Sequence, residues 1–280
     1  MSSIPAFLNG EYLPLEECRV SVLDRGFIFG DGIYELITVY QNQPFYLDQH
    51  LVRLQHSLSE IKVVSPYSES EWKALIANLI QQSEYQDIAI YIQVTRGVAP
   101  RDHVYPENMQ PTVFAMANAL PVVPKEFLET GIELVTTMDT RWQRCDIKAI
   151  SLLANILAKQ EAVQAHAVEA IMIRDDCALE GSASNLFLVR NGIVYTHPKD
   201  NLILPGITRD FIIELLEELE IECKAQEIPK DWLYSSDELW ITSSTKEVLP
   251  ATKIDQKLIA DGKPGEIWRK TYDLYQQRKM

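Results

Sequence analysis

Apolar residues recur along this chain at two periods, and the switch between them divides it into elements. The stretch FLNGEYL sets two short apolar segments around Asn9-Gly10, a strong signal for a type I′ hairpin. GIYELITVYQNQPFYL, rich in β-branched and aromatic residues on both sides of the polar QNQ, predicts a second hairpin. From Leu47 the period lengthens: Leu47, Leu51, Leu54, Leu58 and Ile61 recur in steps of four and three, the stripe of an amphipathic helix. Asp48 sits near its start, where the helix dipole favours an acid. SESEWKALIANLIQQ predicts another helix capped by Ser68 or Ser70, and DIAIYIQVT and PTVFAMAN predict strands.

The prolines of LPVVP at 120–124 bracket a short extended segment that reads as a stiff linker. It separates a smaller N-terminal α/β domain at 1–120 from a larger one at 125–280, with 121–124 as the connection. Beyond it the pattern predicts strand GIELVTTM, a helix after Lys148, strand EAIMIR, hairpin NLFLVRNGIVYTH, helix TRDFIIELLEELE, strand ELWITSS and a helix near 265–278. No repeat period appears. Strands and helices in this order predict an α+β fold of mixed sheets with flanking helices, without the regular alternation of a doubly wound sheet.

Composition narrows the function classes. A net charge of −14 opposes a surface built for nucleic acid or anionic membrane, so an anionic substrate requires a local basic site. With 46% hydrophobic residues, and neither a spanning apolar run nor a basic stretch leading into an apolar signal core, the chain reads as a cytoplasmic globular protein. Cys18, Cys145, Cys177 and Cys223 are scattered and read as reduced thiols. His50 and His56 lack the spacing of a helical metal pair, and no metal site is expected.

Several residues carry candidate chemistry. Lys148 stands ahead of an apolar helix that carries Ile150, Leu153, Ile156, Leu157 and Val163 on or near one face, and a cation there is locally unfavourable. Desolvation and the positive helix end would free its amine as a nucleophile for a carbonyl, although a lysine taken blind is more often an ordinary surface residue. In LEGSASNLFLV, Glu180 precedes small residues that let a flat ligand approach, beside an acid able to pair with a protonated ring nitrogen; a polar turn accounts for the segment equally well. Thr208, after Gly206, reads as an N-cap whose neighbouring amides can hold a phosphate, though ordinary capping explains it as well. Ser243, Ser244 and Thr245 offer hydroxyls to another edge of the same phosphate. Arg53 lies at the edge of its helix's buried face. The loop VTRGVAPRDHVYPE gathers Arg96, Arg101, His103 and Tyr105, a candidate clamp for a carboxylate.

Taken together, Lys148, Glu180 32 residues later, the glycine-threonine helix start and DRGFIFGDGIYE at 24–35 resemble the fold-type IV pyridoxal-phosphate enzymes, and within them the D-amino-acid aminotransferases. The resemblance runs from about Phe7 to the C-terminal helix. It implies that Lys148 holds pyridoxal 5′-phosphate covalently, that Glu180 pairs with the ring nitrogen, and that Arg53 binds the phosphate. Leu204, Ile207, Thr208, Ser244 and Thr245 match positions around the ring and phosphate. Tyr34, Arg101 and His103 resemble that group's trap for the substrate carboxylate, with Arg101 and His103 supplied by the neighbouring subunit of a homodimer. Ala183 departs from the serine expected there, which would remove a supporting hydrogen bond.

The activity so implied is ping-pong transamination between D-amino acids and 2-oxo acids, of the type D-alanine plus 2-oxoglutarate to pyruvate plus D-glutamate. Aminodeoxychorismate lyase and branched-chain L-amino-acid aminotransferases share the fold. A lyase needs no second 2-oxo acid, and an amine transaminase has no use for Arg101 and His103. A non-catalytic binding protein would take up no cofactor.

Overall fold

The structure, a computed structural model, describes residues 4–279; residues 1–3 and 280, at the outer ends of the expected domains, lie outside them. The chain forms two compact units. One takes in the described residues up to Leu120 together with Ile147–Ser151, the other Pro121–Asp146 and Leu152–Lys279. No helix among the described residues is long and apolar enough to cross a membrane.

In the first unit, β1 (Pro5–Leu8) and β2 (Glu11–Pro14) form a hairpin whose turn puts Asn9 at φ 49° and Gly10 at φ 102°, the left-handed pair that a type I′ turn requires. The short helix α1 (Arg25–Phe29) follows, capped by Asp24. β3 (Gly32–Tyr40) and β4 (Gln43–Pro44) turn through Gln41 and Asn42, both left-handed. The long-period stripe forms α2 (Leu47–Glu60), and α3 (Glu69–Gln82) starts with a capping box between Ser68 and Glu71. β5 (Ile88–Thr95) and β6 (Thr112–Ala119) complete a six-stranded antiparallel sheet in the order β2-β1-β6-β5-β3-β4. Leu51, Leu54 and Leu58 of α2 and Leu75, Ile76 and Leu79 of α3 share a core with Ile37, Ile88, Ile90 and Ile92 of the sheet.

The segment Ile147–Ser151 also packs here, although the sequence places Lys148 in the C-terminal domain. Backbone pairing explains the difference: Ala149 bridges Ile33, the Tyr34 amide donates to the Lys148 carbonyl at 2.9 Å, and the Ile150 amide donates to Gly32 at 3.1 Å. Ile147 is buried in the same core.

The second unit begins with α4 (Lys125–Thr130), β7 (Ile132–Met138) and α5 (Leu153–Gln164). β8 (Glu169–Arg174), β9 (Cys177–Gly181), β10 (Ser184–Arg190) and β11 (Ile193–Thr196) follow. Then come α6 (Ile207–Glu218), β12 (Cys223–Ala225), β13 (Ile228–Pro229), β14 (Glu238–Ser243), β15 (Glu247–Ile254), β16 (Lys257–Leu258) and α7 (Glu266–Arg278). Because β9 pairs with both β8 and β10, the strands β10-β14-β15-β7-β8-β9 close into a ring. Alternate residues on these strands, including Leu134, Leu186, Leu188, Leu239, Ile241 and Leu249, form one core cluster. Parallel pairs, β7 with β8 and β15, stand beside antiparallel ones, so the α+β, mixed-sheet expectation is met.

Two expectations are corrected. The helix near Lys148 starts five residues later, at Leu153, and buries Ala158 and Ala162, while Leu153 and Ile156 are 70% and 61% exposed. The small alanines let α5 lie close on β8, which turns the larger side chains outward. Thr208 is not the cap of α6: Gly206 is, and Thr208 is buried within the first turn.

Candidate active site

In the first unit, β3 and its pairing with 147–151 bring Tyr34 and Lys148 together. The Lys148 amide donates to Ser57 Oγ of α2 at 3.2 Å, and its Nζ lies 4.1 Å from the centre of the Tyr34 ring. Tyr34 in turn stacks on Tyr91 of β5 at 5.7 Å. No carboxylate among the described residues pairs with Lys148 Nζ, which leaves the amine to an aromatic face.

Arg53 lies inside α2's buried face, against Glu35. Its Nε donates to Glu35 Oε2 at 2.9 Å and its Nη2 to Oε1 at 2.6 Å, a two-pronged pair, while His50 Nδ1 meets Oε1 at 3.0 Å. Burial pushes the Glu35 carboxyl up, but the charge of Arg53 and the contacts of both partners outweigh it and hold it far below the usual carboxylate range. His50 is pulled below its ordinary value by burial, partly offset by Glu35, so it stands as the neutral ring donating from Nδ1. The two-pronged pair holds the Arg53 guanidinium in a single orientation.

Arg101 and His103 are exposed on the loop between β5 and β6, both against the ring of Phe29.

The second unit supplies the other predicted residues. Glu180, on β9, is 4% exposed and receives Arg141 Nη1 at 2.5 Å, Asn185 Nδ2 at 3.0 Å, and the Leu204 amide at 3.1 Å on each oxygen. Burial raises this carboxyl to about 7 against the pull of Arg141 and the Leu204 amide. Asp139, which takes Arg141 Nε at 2.9 Å and Nη2 at 3.0 Å, adds a smaller push in the same direction as burial. Asn185 also donates to the Leu204 carbonyl at 2.9 Å, strapping the approach to α6 onto the strand that follows Glu180.

At the start of α6 no side chain caps the helix, so its first-turn amides, beside Ile207 and Thr208, remain able to bind an anion. Thr242, cross-strand from Asn185 and so on the same face of the sheet, has a buried hydroxyl with no hydrogen-bond partner among the described residues. Ser244 and Thr245 are half-buried in the turn between β14 and β15, which Lys246 fastens by donating to Glu169 Oε2 at 3.0 Å. Ala183 is exposed while Ser182 and Ser184 both donate to Glu169, so the methyl departure lies off the bonded side of the turn.

Glu35, His50, Asp139 and Arg141 were missed as site residues. Their spacing alone does not signal them: Glu35 meets His50 and Arg53 only when α2 packs back on β3, and Arg141, which bonds Asp139 two residues away, reaches Glu180 only through the fold. The one sequence cue for Glu35 is an acid in the middle of an otherwise apolar strand.

The first unit is thus a helix-backed antiparallel sheet that carries an amine, and the second a closed mixed barrel that carries a buried acid and an open helix end. A model of the amino-transferase class IV family matches residues 32–254, and the chain belongs to that family. It is an aminotransferase, and it is 42% identical to the D-alanine aminotransferase of Bacillus licheniformis over 92% of this chain and 91% of the relative. The D-alanine aminotransferase of Staphylococcus aureus strain N315 is 42% identical over 97% of this chain and 96% of its own. Among solved structures, the branched-chain amino acid aminotransferase of Escherichia coli superposes with a TM-score of 0.93 at 24% identity, covering 100% of this chain and 95% of that one. A second branched-chain amino acid aminotransferase, solved with pyridoxamine 5′-phosphate, reaches 0.91 at 27% identity, over 99% and 94%. That of the archaeon Thermoproteus uzoniensis, solved with norvaline, reaches 0.88 at 26% identity, also over 99% and 94%.

Class IV aminotransferases depend on pyridoxal phosphate. The residues of each unit fit that group: an amine without a carboxylate partner for its carbonyl, a buried acid for its ring nitrogen, and an uncapped helix start with an unpartnered hydroxyl for its phosphate.

Proposed function

We propose that this chain transfers amino groups between D-amino acids and 2-oxo acids, with pyridoxal 5′-phosphate as cofactor and D-alanine with 2-oxoglutarate as the representative pair. The observation that carries the reading is the combination of a carboxylate-free Lys148 with the three-fold-bonded, raised Glu180 in a chain 42% identical to D-alanine aminotransferases over nearly its whole length. Pyridoxal phosphate, when bound, supplies an electron sink for the electrons left at the amino acid's α-carbon.

Lys148 Nζ would hold the cofactor's carbonyl carbon at rest and, once released, would take the proton from the amino acid's α-carbon and pass it to that same carbonyl carbon. Glu180 keeps the ring nitrogen protonated, and Arg141 with Asn185 keeps Glu180 in place. Arg53, oriented by Glu35, binds the phosphate together with Thr208, Ser244 and Thr245, while Leu204 and Ile207 line the ring. Tyr34, Arg101 and His103 grip the substrate carboxylate, which admits amino acids and disfavours simple amines.

The reading includes a homodimer in which Arg101 and His103 serve the partner's Lys148. The outward-facing Leu153, Ile156, Leu157 and Val163 of α5 support it, because an apolar stripe of that kind is what a second copy covers.

The test is turnover of D-alanine with and without an added 2-oxo acid. Pyruvate release sustained only when 2-oxoglutarate is present supports transamination. Turnover of aminodeoxychorismate with no 2-oxo acid at all would replace the reading with the lyase.

A further inference from the structure

Arg101 and His103 are exposed, yet the backbone that carries them is held by the five-residue helix α1. Arg25, 4% exposed, divides its guanidinium among three acceptors: Nε donates to Asp31 Oδ2 at 2.8 Å, Nη1 to the Asp102 carbonyl at 2.6 Å and Nη2 to the His103 carbonyl at 3.3 Å. Those two carbonyls belong to the peptide units on either side of the His103 α-carbon. Phe29, one turn further along α1, packs against Arg25 at 4.8 Å and presents its ring to the Arg101 guanidinium at 5.4 Å and to the His103 ring at 5.6 Å. Asp31 also takes Arg96, through Nε at 2.8 Å and Nη2 at 2.9 Å, and Arg96 lies 4.0 Å over the Tyr105 ring.

We propose that Arg25 and Phe29 are positioning residues that set the carboxylate affinity of Arg101 and His103. This rests on reading those two residues as the carboxylate trap. An exposed arginine and histidine on a free loop would lose backbone and rotamer freedom each time they gripped an anion; holding their peptide planes in advance removes much of that loss. The bonds doing so are charge-assisted, from a buried guanidinium to carbonyl oxygens in a part-buried setting.

The arrangement also separates positioning from folding. Without the Arg25 side chain, Asp31 keeps its two-pronged partner Arg96. The near end of the loop keeps the Arg25 amide on the Gly97 carbonyl at 2.9 Å and the Asp24 bridge to Val98, and the far end keeps Thr112 Oγ1 on Asp24 at 2.6 Å. What loosens is the stretch between, where Arg101 and His103 sit.

The experiment uses full-length enzyme loaded with pyridoxal phosphate and compares wild type with Arg25→Met, Arg25→Lys and Phe29→Leu. It measures kcat and KM for D-alanine, the inhibition constant of propanoate, and the affinity for pyridoxal phosphate. For Arg25→Met the expected result is a rise of about tenfold in both KM and the propanoate constant, with kcat within about twofold and cofactor affinity unchanged. Arg25→Lys, able to reach one carbonyl, should recover part of the loss, and Phe29→Leu should raise both constants by a smaller factor. Constants for Arg25→Met within about twofold of wild type, or a loss confined to kcat or to cofactor binding, would overturn the proposal. If Arg25→Met yields no folded enzyme, Phe29→Leu decides by the same two constants. A wild-type enzyme inert toward D-alanine would remove the D-amino-acid reading itself, whereas an active enzyme with insensitive variants removes only the positioning role.

Discussion

Glu180 illustrates how a residue's chemistry is set by what surrounds it. Replacing it with glutamine keeps the volume and removes the acid, so kcat should fall by at least about a hundredfold while the protein still folds and binds cofactor. Its raised carboxyl also has a consequence for the cofactor-free protein. Folded Glu180 stays protonated up to about 7, whereas in the unfolded chain it ionises in the ordinary carboxylate range. Between those limits the folded state binds more protons, so stability declines as pH rises through that window. Melting curves at about pH 5 and about pH 8 should therefore show a larger loss for wild type than for Glu180→Gln. Glu35 behaves in the opposite sense. Its replacement by glutamine takes from buried Arg53 its two-pronged carboxylate, and chemical denaturation should show a loss of about 3–5 kcal/mol together with weaker phosphate binding. The segment around Glu180 stood out in the sequence as an acid before small residues and a strand, a pattern that a polar turn explains equally well. Glu35 did not, because its partners lie on α2 and only the fold brings them together.

Elements that follow one clear period were readable. Both left-handed hairpin turns, the Leu stripe of α2 and the Ser68 cap of α3 all depend on local chemistry, and the structure has them. β9 and β15, two strands of the closed ring, were not read. β15 contains Pro250, which normally argues against an inner strand; it is tolerated because pairing with β7 starts only at Ala251. The outward stripe of α5 has a related cause, since a helix that lies on its sheet through alanines shows the same apolar count as one buried through leucines. At α6 the element itself makes a prediction. A methyl group on Gly206 would collide with Asn185 Oδ1, the amide that steadies Glu180 and Leu204. Gly206→Ala should cost about 1–3 kcal/mol of stability and lower cofactor affinity, as equilibrium dialysis with pyridoxal phosphate would show.

For the whole molecule, the proposed homodimer can be tested by complementation. Lys148→Ala and Arg101→Ala enzymes should each be nearly inactive, but mixed after dissociation and reassociation they should recover about a quarter of wild-type activity, because each mixed dimer rebuilds one intact site. No recovery would place the trap and the lysine in the same subunit. The fold was legible from motif order across the chain; the return of 147–151 to the first unit was not, because it depends on backbone pairing with β3 that leaves no trace in side-chain pattern. The most direct measurement is the visible absorbance of the loaded enzyme after adding D-alanine and, separately, L-alanine and L-leucine. Bleaching by D-alanine alone, restored by 2-oxoglutarate, is the expected result. Bleaching by an L-isomer, or indifference to all three, would contradict D-amino-acid transamination.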